Sequence, residues 1–318
     1  MIRKTNLECS LQQIANTILL NTGQINNLGL LDGKIGITLF LYHYSQINGN
    51  SIYRNYADEL FDEIFNNLYD TMPADFSNGL TGIGWCIQNL LKNKIIAVNY
   101  GKILEEIDAT LKNVKHSDIL RDINIECPFC SQGIYFLERN KKNRLEDILN
   151  ILNQTLDLDQ NTKVLPLSYL NSILYIILQE KKNWHDFTDL TRIIYTNIID
   201  SINNKQYTFP DILLLTNLIE KIGQIEYLNS DKEKWGILLK TLDYNNLSGI
   251  FNIGIYNLIY DKIQNEYSII SSKLENTNIE NQINCMIKDV YRNLNLFNGL
   301  AGIGLTLCNY FYKQHEAI

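Results

Sequence analysis

The 318-residue chain is 45% hydrophobic and 20% charged and carries a formal net charge of −7. Such a composition suits a globular protein with a large buried core and excludes a disordered or fibrous one. The acidic balance leaves no clustered Lys and Arg for a phosphate backbone, so nucleic acid is not an expected partner.

From the N-terminus, Arg3 and Lys4 precede a stretch in which Asn6, Glu8, Gln12 and Gln13 interrupt what a signal peptide needs as an apolar core. Asn, Asp or Lys likewise break every later apolar run before the roughly 18 residues of a spanning helix. The expectation is a cytoplasmic protein without a transmembrane segment. The six cysteines, Cys9, Cys86, Cys127, Cys130, Cys285 and Cys308, are irregularly spaced and read as free thiols.

The first organised element is Asp32-Gly33-Lys34-Ile35-Gly36-Ile37-Thr38-Leu39, a polar residue and Gly-x-x-Gly opening an apolar helix that runs on to Tyr44. An amphipathic helix follows over Tyr53 to Tyr69, with Tyr56, Leu60, Phe61, Ile64, Phe65 and Leu68 at helical spacing against Asp58, Glu59, Asp62 and Asn66. The pattern then recurs as Asn78-Gly79-Leu80-Thr81-Gly82-Ile83-Gly84-Trp85. Degenerate copies follow at Cys130-x-x-Gly133, at Ser168-x-x-Asn171 and near Asp211. A weaker copy, Ser248-Gly249-Ile250-Phe251-Asn252-Ile253-Gly254-Ile255, has Asn252 in place of a glycine. The last is Asn298-Gly299-Leu300-Ala301-Gly302-Ile303-Gly304-Leu305, whose helix extends to Phe311.

These are seven units of about 44 residues, the length of two helices and two connections. The only prolines, Pro73, Pro128, Pro166 and Pro210, each fall shortly before a unit begins, where a fixed φ and a missing N–H suit a loop or a first helical turn. Helices after each motif are apolar on most faces and form an inner layer, and the amphipathic ones form an outer layer. The reading is all-α, one domain over residues 1–318, with negligible strand. Glycine at an inner-helix start serves close backbone packing, and the free N–H groups of a helix start are also able to hold polar or anionic ligands. Asp32, Asn78 and Asn298 directly precede the first glycine. They read either as N-caps or, with Asn252, as polar groups on a cavity rim that hydrogen-bond an extended peptide.

Seven units of this length, each opened by Gly-x-x-Gly, resemble the lanthionine synthetase C-like family across nearly the whole chain. The resemblance implies an (α/α)7 toroid of seven helical hairpins. In that family a zinc ion at one end of the central cavity activates a cysteine thiol of a dehydrated precursor peptide for addition to a dehydroamino acid. The family's ligands are a Cys-His pair directly before the last Gly-x-x-Gly and a Cys two residues before the glycine of the preceding unit. Here those positions hold Phe297, Asn298 and Leu247, none of them a thiolate, imidazole or carboxylate donor. The resemblance brings the three together at one end of the ring.

No cofactor is therefore expected. Cys127-Pro128-Phe129-Cys130 is half a four-ligand site without its second half and reads as a structural pair. His185, beside Asp186 in a charged connecting stretch, reads as a surface residue. The leading functional expectation is a zinc-free scaffold that binds a precursor peptide for a dehydratase or other peptide-modifying enzyme. A metal-independent cyclase using the same cavity is the alternative. A glycosidase-like toroid would need paired carboxylates, for which Asp32 and Asp211 are the only unit-opening acids, and a bare helical-repeat interaction protein is the minimal case.

Overall fold

A computed structural model of the chain describes residues 4–69, 71–97, 101–113, 115–124, 127–158, 164–179, 187–222, 235, 237–238, 240, 248–260 and 279–316. Among these residues the regular elements are helices, with no strand. They group into two compact units, Met1–Thr110 with Gly249–Ile318, and Leu111–Ser248.

In the first unit, α1 (Lys4–Asn21), α2 (Lys34–Asn48), α3 (Ser51–Asn66), α4 (Leu80–Lys92) and α5 (Gly101–Thr110) come from the N-terminal part. The second unit supplies α6 (His116–Asn124), α7 (Ser131–Glu138), α8 (Lys142–Leu158), α9 (Leu167–Gln179), α10 (Thr188–Asn203) and α11 (Phe209–Ile222). The first unit is then completed by α12 (Ile253–Ile259), α13 (Ile279–Lys288) and α14 (Leu300–Glu316).

The sequence pattern sorts these helices into layers. α2 is buried at every residue from Lys34 to Ser45, as an inner helix must be. α3 buries only Tyr53, Ala57, Leu60, Phe61 and Ile64, a single stripe facing α2. Burying those five side chains contributes on the order of 10 kcal/mol before ordering entropy is subtracted. The Asn50 side chain accepts the Ile52 N–H at 3.0 Å and sets the start of α3. Gly49, at φ +70°, closes α2 with its N–H on the Ser45 carbonyl.

In the first unit the inner helices lie side by side in the order α12, α14, α2, α4. The last repeat therefore packs directly against the first. At Gly304 of α14 an added Cβ would fall 2.3 Å from a ring atom of the buried Phe40, so the two inner helices touch where glycine leaves room. The outer face is made by α1 against α14 and α13, α3 against α2, and α5 against α4. The Gln13 amide of α1 donates to Asn284 of α13 at 3.2 Å, linking these two outer helices.

In the second unit α7, α9 and α11 form the inner row, and α8 and α10 cover it. Its helix starts use the prolines as the sequence implies: Pro166 directly precedes α9, and Pro210 is the second residue of α11. No helix of the described residues is long and apolar enough to cross a membrane.

Candidate functional site

The three full Gly-x-x-Gly copies build the same loop. In each, the chain before the helix folds back so that the first helical N–H donates to a carbonyl seven residues earlier. Lys34 bonds to Asn27 at 2.9 Å, Leu80 to Pro73 at 2.8 Å and Leu300 to Asn293 at 2.7 Å. Ile35 and Ala301 repeat this one step later, on Leu28 and Leu294. The second glycine makes the fold-back possible. A Cβ at Gly36, Gly82 or Gly302 would sit 2.0, 2.0 or 2.1 Å from the carbonyl oxygen of Leu30, Phe76 or Leu296. Those three apolar residues are fully buried and anchor their loops from beneath.

This corrects two expectations. Asp32 and Asn78 are not N-caps: the cap positions of α2 and α4 are Gly33 and Gly79, with no side-chain cap bond. Nor does the first N–H of either helix stand free for a ligand, because a carbonyl of the loop already accepts it.

Equivalent residues then stitch neighbouring loops together. Phe297 and Leu296 donate their N–H groups to the Leu31 carbonyl, both at 3.1 Å, and Leu31 donates to the Ser77 carbonyl at 2.9 Å. Leu31, Ser77 and Phe297 each lie two residues before a first glycine. At Gly29 a Cβ would lie 2.3 Å from the Asn78 Cα, so these loop backbones are in direct contact.

On this frame sits a band of carboxamides and carboxylates. Asn27 turns its Oδ1 to the Gly29 N–H at 2.8 Å and donates Nδ2 to Asn78. Asp75 accepts the Asn78 N–H at 2.7 Å. Asp32, exposed, accepts from Asn295 at 3.4 Å and also meets the Asn78 carboxamide. Partial desolvation by its neighbours raises the Asp32 pKa; the Asn78 hydrogen bond opposes that rise and the charge of Asp75 adds to it. Next along, Asn252 and Asn298 are joined twice. The Asn252 Nδ2 donates to the Asn298 Oδ1, and the Asn298 N–H donates to the Asn252 Oδ1, both at 2.8 Å. Asn252 is only 1% exposed, whereas Asn298 is exposed and holds φ +59°, a left-handed conformation that Asn tolerates better than most residues.

The structure therefore gathers Asp32 with Asn78, and Asn252 with Asn298, in the loop layer of one unit. It also directs much of their hydrogen bonding to one another. Phe297 is half-buried beside Asn298. Leu247, the third position of the degenerate ligand set, lies outside the described residues, as do His185 and Asp186. Sequence reasoning missed Asn27, Asp75 and Asn295. Asp75 and Asn295 share a register position, four residues before the first glycine, and that coincidence was available as a signal.

The second unit holds the remaining candidates. Cys127 and Cys130 are buried beside a polar knot in which Asp122 accepts the Ser131 N–H at 2.9 Å and its hydroxyl at 2.7 Å. Ser172 accepts the Cys130 N–H at 2.7 Å, and burial pushes the Cys130 thiol pKa up. These are the properties of a structural pair. Asp211, 2% exposed, accepts both the N–H and the hydroxyl of Thr208 at 2.7 Å, capping the first turn of α11. A carboxylate so engaged lacks the freedom of a general acid. Among the described residues no group of three His, Cys, Asp or Glu side chains is placed to hold a metal.

Among the described residues, paired inner and outer helices with glycine-opened inner starts define a class, the α/α helical-hairpin repeats. A family model described as lanthionine synthetase C-like protein matches residues 24–190, more than half of the chain, and the chain belongs to that family. Among solved structures, a nisin cyclase shares the fold with a TM-score of 0.62 at 15% identity, over 98% of this chain and 95% of that one. No curated protein matches.

Proposed function

We propose that this chain is a zinc-free member of its family that binds the precursor of a ribosomally made peptide in the cytoplasm and presents it to a partner such as a dehydratase. Family membership supports a role in peptide modification. The observation that carries the zinc-free reading is chemical: at the positions where the resemblance puts zinc ligands stand Phe297, Asn298 and Leu247. A phenyl ring, a neutral carboxamide and an isobutyl group are not the donors of a tetrahedral zinc site.

Asp32, Asn78 and Asn298 are the proposed peptide-facing polar groups, with the buried Asn252 behind them holding Asn298 through two hydrogen bonds. Asp32 and Asn298 are exposed, and each keeps lone pairs or N–H groups beyond the bonds described above. Half-buried Phe297 beside them offers apolar surface to a peptide side chain. Phe297 and Asn298 lower no thiol pKa, so in this reading the chain binds without forming a thioether.

The test is incubation of purified protein with a dehydrated precursor in chelator, followed by mass spectrometry with thiol alkylation. Binding without thioether formation above the spontaneous rate supports the scaffold. Thioether formation above that rate replaces it with a metal-independent cyclase. Stoichiometric zinc in the purified protein removes the premise.

A further inference from the structure

We infer that Asn252 and Asn298 form a carboxamide clasp that holds the last two repeats in register without a metal. A zinc ion ligated from both repeats would cross-link them by coordination; here two reciprocal hydrogen bonds of 2.8 Å join the same two repeats at Asn298, one of the degenerate ligand positions.

Asn252 is the residue that breaks the glycine pattern, standing where Gly302 stands in the last copy. Its carboxamide is buried and saturated on the side facing Asn298 by one donated and one accepted bond. Losing the Asn298 carboxamide leaves the buried Asn252 Nδ2 without this acceptor, while the Asn298 backbone N–H still donates to the Asn252 Oδ1; an unmade bond at a buried donor costs more than at an exposed one. The left-handed φ of Asn298 aims its N–H at Asn252 and turns its own carboxamide back for the second bond.

The seam below the clasp is polar as well. Buried Thr306 of α14 accepts the Gly254 N–H at 3.0 Å and donates to the Phe251 carbonyl at 2.6 Å. Asn309 donates to the Gly254 carbonyl at 3.2 Å. At Gly254 a Cβ would lie 2.7 Å from the Thr306 nitrogen, so the backbones are close enough for these short side chains to span the gap. The clasp closes the solvent end of a seam that is hydrogen-bonded along its length.

This inference rests on the zinc-free reading, and its test separates the two. Asn252→Ala, Asn298→Gly and the double variant are melted in chelator and in added zinc, with hydrogen exchange followed at the Asn298 amide. Glycine at 298 removes the carboxamide while keeping the left-handed backbone. Asn298→Asp keeps the acceptor for Asn252 and serves as the conservative control. The clasp predicts that each single variant lowers the melting temperature and that the double falls little further than the worse single. It also predicts at least tenfold faster exchange of the Asn298 amide in Asn252→Ala, partial retention of stability in Asn298→Asp, and no effect of chelator on the native chain. Additive losses or unchanged exchange overturn the clasp alone. A fall in melting temperature on chelation overturns the zinc-free reading, whatever the variants do.

Discussion

Gly36→Ala tests the fold-back loop that opens the inner helices. The new methyl would sit 2.0 Å from the Leu30 oxygen and 2.8 Å from the Leu296 Cβ, so the loop must retreat by about 1 Å to restore van der Waals contact. Overpacking of this kind costs about 1–3 kcal/mol. The retreat also strains the bonds from Lys34 and Ile35 to Asn27 and Leu28, each contributing about 1 kcal/mol. Against this stands a gain of at most about 1 kcal/mol from replacing a glycine in the first turn of a helix by alanine. The balance is a loss of about 2–4 kcal/mol. With an unfolding entropy of about 2.1 cal/mol/K per residue, that lowers Tm by about 3–6 °C. Gly23→Ala is the control, since nothing lies within 4 Å of its added methyl. Melting followed by circular dichroism decides it. Gly36→Ala melting within 1 °C of the native chain would refute the steric account of the motif.

Burial lowers the His43 pKa to about 4, and its Nε2 is buried without a hydrogen-bond partner. The unfolded chain therefore takes up this proton first, so stability is full above about pH 6.5, declines as pH falls and loses about 3 kcal/mol by pH 4. His43→Leu should flatten that part of a pH series of denaturant melts; an unchanged slope would show that other groups carry it. Asp32 has a raised pKa, so its contribution is present at acid pH and lost as pH rises through the folded value. Asp32→Asn should accordingly raise the melting temperature at pH 7 relative to its effect at pH 3, and the opposite order would contradict the shift. Cys9 and Cys285 are exposed while Cys86, Cys127, Cys130 and Cys308 are buried; burial also raises the pKa of Cys86, Cys130 and Cys308. Alkylation of the native protein should modify two thiols rapidly and the remaining four only on unfolding, and fast labelling of Cys130 would deny the pair its buried structural role.

The fold was legible because its signals are local. Gly-x-x-Gly before an apolar run marks an inner helix, and Leu60, Phe61 and Ile64 at helical spacing against acids mark an outer one; the buried stripe continues through Tyr53 and Ala57 rather than the half-buried Tyr56, Phe65 and Leu68 of the sequence reading. The glycines mark sites of close backbone approach. What they approach was not legible: backbone carbonyls leave no trace in side-chain identity, so the loop that satisfies the helix starts was mistaken for free donors awaiting a ligand. The carboxamide pairs were hidden for another reason. Asn27 meets Asn78 and Asn252 meets Asn298 across about 50 residues of chain, and only the stacking of repeats sets those partners. Asn252 was visible as a departure from the glycine pattern, but its partner was not.

The central claim is peptide binding at a rim that needs no metal. Calorimetric titration of a dehydrated precursor into the purified protein, in chelator and in added zinc, tests it most directly. The account predicts the same Kd in both conditions, weakened by about 1 kcal/mol, roughly fivefold, in Asn298→Ala. Absence of binding in both conditions, or binding that appears only with zinc, would contradict it.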